Sequence, residues 1–219
     1  RLDRGTSGVV AFARSPASYR AARAAFSAQR VGKRYLAIVD GAWPPEAPPG
    51  WGYCVRPLSA ESGEVTLAGV DAAVAAMLAR HGLAPFDGAP VELAAPLGLG
   101  ARRGLVSVRP DGQPARTVIA PLAWVERRGL VALELPTGRR HQARVHLAWA
   151  GLPIVGDRRY HPAPAAGRRL HLHAFALNLQ RVDADERTVI DPVDPGLLAS
   201  LTRGEAGERG RRDDADDSR

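Results

Sequence analysis

The chain has 219 residues, 45% of them apolar, and a formal net charge of +7 at pH 7. That length suffices for one good core or for two small subdomains sharing one, so the protein reads as globular and in no need of covalent staples. The single cysteine, Cys54, excludes an internal disulfide or a multi-cysteine zinc site and reads as a buried or idle thiol. No apolar run approaches the ~20 residues of a membrane span and no signal peptide stands out, so a cytoplasmic location is expected. Residues 137–180 hold seven arginines and one acid, Asp157. Clustered cations are rewarded by phosphates through counterion release, which points to a polyanionic partner. Lys33 is the only lysine, so a compositional bias accounts for arginine over lysine but not for the clustering.

In chain order, residues 1–8 (RLDRGTSG) place one carboxylate, Asp3, in a turn-rich stretch between Arg1 and Arg4. Alone, such a stretch is a solvated turn with weak ion pairs. The apolar run 9–13 reads as a buried strand on which that turn would rest. Ser15-Pro16 starts a helix running to 29, with Tyr19, Ala22 and Phe26 at helical spacing, amphipathic over a sheet. Residues 33–41 alternate as a strand, with Tyr35, Ala37 and Val39 on one face and Leu36 and Ile38 on the other. From 42 to 104 the pattern weakens: a Pro/Gly-rich loop, a short strand at 65–68, and a helix at 71–80 stopped by Gly82. Residues 105–108 and 116–122 read as strands across a Pro110-Asp111-Gly112 turn. Residues 124–126 and 130–135 read as a hairpin. Thr137 is the expected N-cap of a helix over 140–150, ended by Gly151 and Pro153. A loop at 161–167 and an alternating strand at 170–179 follow. The fold class is α+β, a mostly antiparallel mixed sheet with flanking helices. Residues 1–202 are expected to form one domain with 42–104 as an insertion or peripheral subdomain, and the Gly-rich, mixed-charge tail 203–219 is expected to be disordered.

On the 140–150 helix, His141 and Arg144 lie three apart and so share a face, while His146 points elsewhere. An arginine near the helix start can hold a carboxylate ionised in a poorly hydrated site, and such a carboxylate can serve as nucleophile or base. His141, His146, His171 and His173 have spacings that metal sites use, but no acid or cysteine accompanies them convincingly, and a metal is not expected. The phosphate-loop, dinucleotide and serine-nucleophile motifs are absent.

Taken together, RLDRGTSG, KRYLAIVDG, TGRRHQARVHLAWAGLPIVGDRRY and RLHLHAFAL, in this order, resemble the RluA-type pseudouridine synthases over 1–41 and about 113–179. The resemblance implies that 1–202 is a catalytic domain and that uridine in structured RNA, ribosomal or transfer, is isomerised without cofactor or metal. It makes Asp3 the catalytic carboxylate, either a nucleophile on C1′ or the base that removes the C2′ proton. It sets Tyr35 against the target base, Arg144 as the ion-pair partner of Asp3, and Arg1 in the space a flipped base leaves. Leu172, with Leu170 second, would line the uracil pocket. Arg4, Thr6, Arg139, Arg140, His141 and Gln142 complete the expected RNA contacts. A monomer is expected, with no membrane partner. The alternative is a catalytically degenerate member that binds RNA as an assembly factor. Two departures stand out: TGRRHQ adds a cation to the usual motif, and the sequence opens without Met inside its first motif, so a natural upstream segment is expected.

Overall fold

The computed structural model describes residues 1–46, 48, 54–58, 71–102, 104–163, 169–179, 188–191 and 195–202. In chain order these form β1 (Ser7–Gly8), α1 (Pro16–Ser27), β2 (Gly32–Asp40), β3 (Cys54–Pro57), α2 (Asp71–Arg80), β4 (Val91–Ala94), β5 (Leu97–Leu99), β6 (Val106–Val108), β7 (Arg116–Val125), β8 (Arg128–Glu134), α3 (Gln142–Trp149), β9 (Leu172–Asn178), β10 (Thr188–Ile190) and α4 (Pro195–Thr202). The main sheet runs β1-β9-β2-β8-β7-β4-β3, with β10 also on β9. Among the described residues only β1 pairs in parallel, Ser7 opposite His173. This is the mostly antiparallel α+β architecture expected.

The alternation of β2 organises two cores. Ala37 and Val39 face one cluster with Leu133, Val145 and Leu147, so α3 and the β5–β6 ribbon cover that side. Leu36 and Ile38 face another with Leu78, Leu197 and Leu201, so α2 and α4 cover the opposite side. The side chains are therefore sorted by the period-two rule of a strand buried on both faces.

Several expectations change. Residues 9–13 are not a buried strand: Val9 donates its N–H to Ala174 at 2.9 Å, and the chain then leaves the sheet, with Phe12 85% exposed. Helix α1 has the expected Ser15 cap, in a capping box with Ser18, yet Tyr19 and Phe26 are exposed and Ala25 alone is buried. The stretches 116–122 and 124–125 are one strand, β7, with an irregularity between Pro121 and Ala123. Proline has no N–H for the ladder, and the shift changes which face each residue meets, so the pattern read as two pieces. β6 pairs with β5 rather than across the 110–112 turn. The β7–β8 turn is Glu126-Arg127, Val125 standing opposite Arg128. The stretch 42–104 supplies β3 and β4 at one sheet edge, and Leu93 of β4 is fully buried in the α3-side core. The strand at 65–68 and the tail 203–219 lie outside the described residues, as does the Cys54 side chain.

Candidate active site

Two glycines place Asp3. The N–H of Thr6 donates to the Asp3 carbonyl at 3.0 Å, and Gly5, at φ +90°, takes the position of a type II turn that only glycine fills without strain. Gly8 then lies so close to β9 that a Cβ would overlap the Ala174 carbonyl. Ser7 completes the anchor. Its hydroxyl lies 3.0 Å from His173 Nδ1, whose other ring nitrogen donates to the Asp191 carbonyl, and Arg169 donates to Ser7 Oγ at 2.9 Å. The turn that carries Asp3 is thus tied to β9, at the β1 edge of the main sheet.

Arg144 comes from the first turn of α3. Its Nε and one Nη donate to both oxygens of Asp157, at 2.8 and 2.7 Å. Its other Nη reaches Asp3 Oδ2 at 3.4 Å. Asp157 also accepts the backbone N–H groups of Arg159 and Tyr160. Burial drives its pKa up, but these donors outweigh burial and hold the carboxyl below its ordinary value. The sequence reading made Arg144 the partner of Asp3; the structure makes Asp157 its principal partner and Asp3 its looser one. The cap of α3 also differs. His141, not Thr137, is the N-cap, in the left-handed region at φ 55°. Thr137 donates instead to Gln142 Oε1 at 2.7 Å.

Around these groups lies a cavity of about 670 Å³. Arg1, Asp3, Thr6, Tyr35, Arg139, Arg140, His141, Gln142, Arg144 and Leu172 all line it, so sites far apart in sequence converge. Arg4 is exposed on the same turn but is not in the lining, and Leu170 is buried behind it. Tyr35 is half-buried; burial, then the nearby Asp3 charge, raises its pKa, so the phenol stays protonated. The Thr6 hydroxyl is buried without a hydrogen-bond partner among the described residues. Lys33, also in the lining, has its pKa lowered by burial and by Arg139. Gln142, expected on the RNA, uses both ends of its amide inside the protein: it accepts from Thr137 and from the Arg139 N–H, and donates to the Arg116 carbonyl and Thr117. Its part is to tie α3 to β7.

Each histidine of the four has an internal role. His146 is fully buried; it donates to the Ala95 carbonyl at 2.9 Å and accepts from Thr117 at 2.8 Å. Burial pushes its pKa down to about 4. His171 donates to the Val155 carbonyl. Among the described residues no group of three or more His, Cys, Asp or Glu side chains is placed to hold a metal ion. No described helix is long and apolar enough to cross a membrane. Asp157 and Tyr160, which no sequence motif singles out, both contact Arg144; the sequence signal for Asp157 is its isolation as the one acid among the seven arginines of 137–180.

Residues 1–149 match the family model described as RNA pseudouridylate synthase. An uncharacterized RNA pseudouridine synthase of Helicobacter pylori is 29% identical over 82% of this chain and 57% of its own length. Ribosomal large subunit pseudouridine synthase C of Vibrio parahaemolyticus is 28% identical over 85% of this chain and 48% of its own. The chain therefore spans about half the length of these curated relatives. The solved structure of human RNA pseudouridylate synthase domain containing 1 matches with a TM-score of 0.60 at 24% identity, over 91% of this chain and 70% of that one, which shows a shared fold.

Proposed function

The chain belongs to the RNA pseudouridylate synthase family, and from that premise we propose that it converts uridines of structured RNA to pseudouridine, with Asp3 as the reacting carboxylate. The observation that carries the reading is the convergence of Asp3, Tyr35, Arg144 and Leu172 on one cavity. In the reaction the N1–C1′ bond breaks with its electron pair going to the uracil, and the uracil turns. C5 then bonds to C1′ and gives up its proton, and N1 takes up a proton, so nothing is oxidised or hydrolysed. Asp3 faces the ribose, as nucleophile at C1′ or as base at C2′, contacted by Arg144 yet open to substrate. Tyr35 packs on the base, and its neutral phenol serves the proton exchange at C5. Leu172, Leu135 and Ala143 give the uracil an apolar wall from which water is shut out. The Thr6 hydroxyl gains from substrate the partner that it otherwise lacks.

A paired or stacked uridine must leave its stack to reach this cavity, at a cost of about a few kcal/mol. Arg1 on the rim offsets part of that by entering the vacated space, while Arg4, Arg139 and Arg140 meet phosphates. Ribosomal RNA is the favoured substrate, on the name of the Vibrio relative. The enzyme acts as a monomer in the cytoplasm, and this chain's residues call for no metal or cofactor in the chemistry.

The test is pseudouridine mapping of total RNA from cells with and without the gene. A site that disappears, and returns with wild type but not with Asp3→Ala, is the expected result and also identifies the substrate. A site restored in full by Asp3→Ala removes Asp3 from the chemistry. No lost site at all favours an RNA-binding role without isomerisation.

A further inference from the structure

Beyond Asp3 and Arg144, a tyrosine outside the cavity lining bears on the carboxylate through a histidine. Tyr160 Oη accepts the backbone N–H of Val106 at 3.1 Å and stands 2.6 Å from His141 Nδ1. An amide only donates, so the Val106 bond leaves the tyrosine hydroxyl its own proton to give, and Nδ1 at 2.6 Å stands in place to accept it. The imidazole then carries its own proton on Nε2. That nitrogen faces Asp3 Oδ1 at 3.9 Å. A bare Nε2 lone pair turned toward a carboxylate would repel it, so the same tautomer follows from both ends of the ring.

The surroundings hold this arrangement. The turn at Asp157, whose carboxylate takes the Tyr160 N–H, fixes the tyrosine backbone. The Tyr160 ring lies under the Arg144 guanidinium, 5.1 Å from centroid to carbon, and meets the His141 ring edge-on at 5.6 Å. His141 sits in the left-handed backbone region, a conformation that costs free energy for a residue with a Cβ and so needs such support. The charged groups facing the imidazole are Asp3, Arg144, Arg140 and Arg159. Burial and the three arginines disfavour the imidazolium against the pull of Asp3, which keeps the ring neutral.

We propose that Tyr160 is a positioning residue for the reaction: it locks His141 as the Nε2–H tautomer, so that His141 donates to Asp3 Oδ1 while Arg144 holds Oδ2. A shift of about 1 Å brings Nε2 to hydrogen-bond distance of the carboxylate, and ordering of the cavity by substrate supplies it. Gripped on both oxygens, Asp3 keeps one orientation toward the sugar throughout the turnover. The inference rests on the reading of Asp3 as the reacting carboxylate, but its tautomer half does not.

That half is read by nitrogen NMR of the full chain labelled with 15N-histidine, at neutral pH and without RNA. His141 is expected with Nε2 protonated in the wild type and as a mixture of tautomers in Tyr160→Phe, which keeps the ring and the packing. A protonated Nδ1 in the wild type, or no change in the variant, overturns the proposal. The positioning half is read on an RNA oligonucleotide carrying the uridine found by mapping. Tyr160→Phe is expected to lower kcat about tenfold with KM within about twofold, the scale of one hydrogen bond to a charged group. His141→Gln, whose amide places a donor near Nε2, is expected to keep several times more activity than His141→Leu. Equal activities of those two variants, or a Tyr160→Phe effect confined to melting temperature, would show a merely structural pair. The NMR arm decides the tautomer whether or not the chain isomerises uridine, so the two readings fail separately.

Discussion

Asp157 and Asp3 approach the same guanidinium, one from a side closed to water and the other from a side open to it. The Asp157 side chain is fully buried and doubly bonded to Arg144, whereas that of Asp3 is 29% exposed and makes one 3.4 Å contact. A desolvated bidentate pair breaks at great cost, because either partner left alone is a buried charge. Arg144 is therefore held in place without Asp3. The second carboxylate receives only the remaining edge of the cation, a single longer contact that does not lock it. The difference teaches how one arginine serves both stability and reactivity: the closed pair fixes the cation, and the open one stays available for chemistry.

The comparison makes predictions of opposite kind. Asp3→Ala should reduce pseudouridine formation by at least ~10³-fold while shifting the melting temperature by less than about 2 °C. A large loss of stability there would mean that the two acids are not divided in role. Asp157→Ala should do the reverse and cost about 3–5 kcal/mol in urea unfolding, the usual price of stranding one partner of a buried pair. An unchanged unfolding midpoint would return Arg144 to Asp3 as its main partner.

Acid titration separates the closed pair from the buried histidine. Asp157 has its pKa depressed in the fold, so its stabilisation is present above the unfolded value of about 3.9 and is lost as pH falls below it. His146 is also depressed, to about 4. The unfolded chain takes up that proton near pH ~6.5, so stability is full above that value and falls as pH drops toward 4, by up to about 3 kcal/mol. Unfolding free energy measured against pH should thus decline in two stages. His146→Gln should shrink the upper stage, to which His141, also depressed by burial, adds a part, and leave the lower one, which Asp157→Ala should flatten. Loss of both stages in either variant would contradict independent groups.

The sequence made some of this legible and hid the rest for identifiable reasons. The alternation of 33–41 sorted Tyr35, Ala37 and Val39 from Leu36 and Ile38, and the two cores follow that division. Asp3, Tyr35, Arg144 and Leu172 could be grouped by motif order, and they do share a cavity. The Asp157 pairing was invisible to periodicity, since a helix start and a later turn are related only through tertiary packing. Apolar composition misled at 9–13: a run such as Val9 to Phe12 records what prefers burial, not what covers it, and Phe12 is exposed. The Thr137 cap failed because its hydroxyl found a side-chain partner, Gln142, instead of the helix N–H groups. Three-residue strands such as β10 are too short to show a period.

The smallest effect concerns a cation on the open side. Arg140 is exposed, donates to the Gly104 carbonyl at 3.3 Å, and lines the cavity beside His141. Its Gly104 contact lies on the surface, where water competes for each group, so Arg140→Ala should change folding stability by no more than about 0.5 kcal/mol. If it meets a phosphate, it displaces about one condensed counterion. The slope of log affinity against log salt for RNA should then flatten by roughly 0.7–0.9, with affinity falling alike for RNAs of different sequence. Measured by filter binding across a salt series, an unchanged slope would place Arg140 off the phosphate track. A loss confined to one RNA sequence would instead make it a reader of bases. Either result sharpens the division, because a cation tied to the closed pair would change folding first, and one on the open side changes only what the cavity receives.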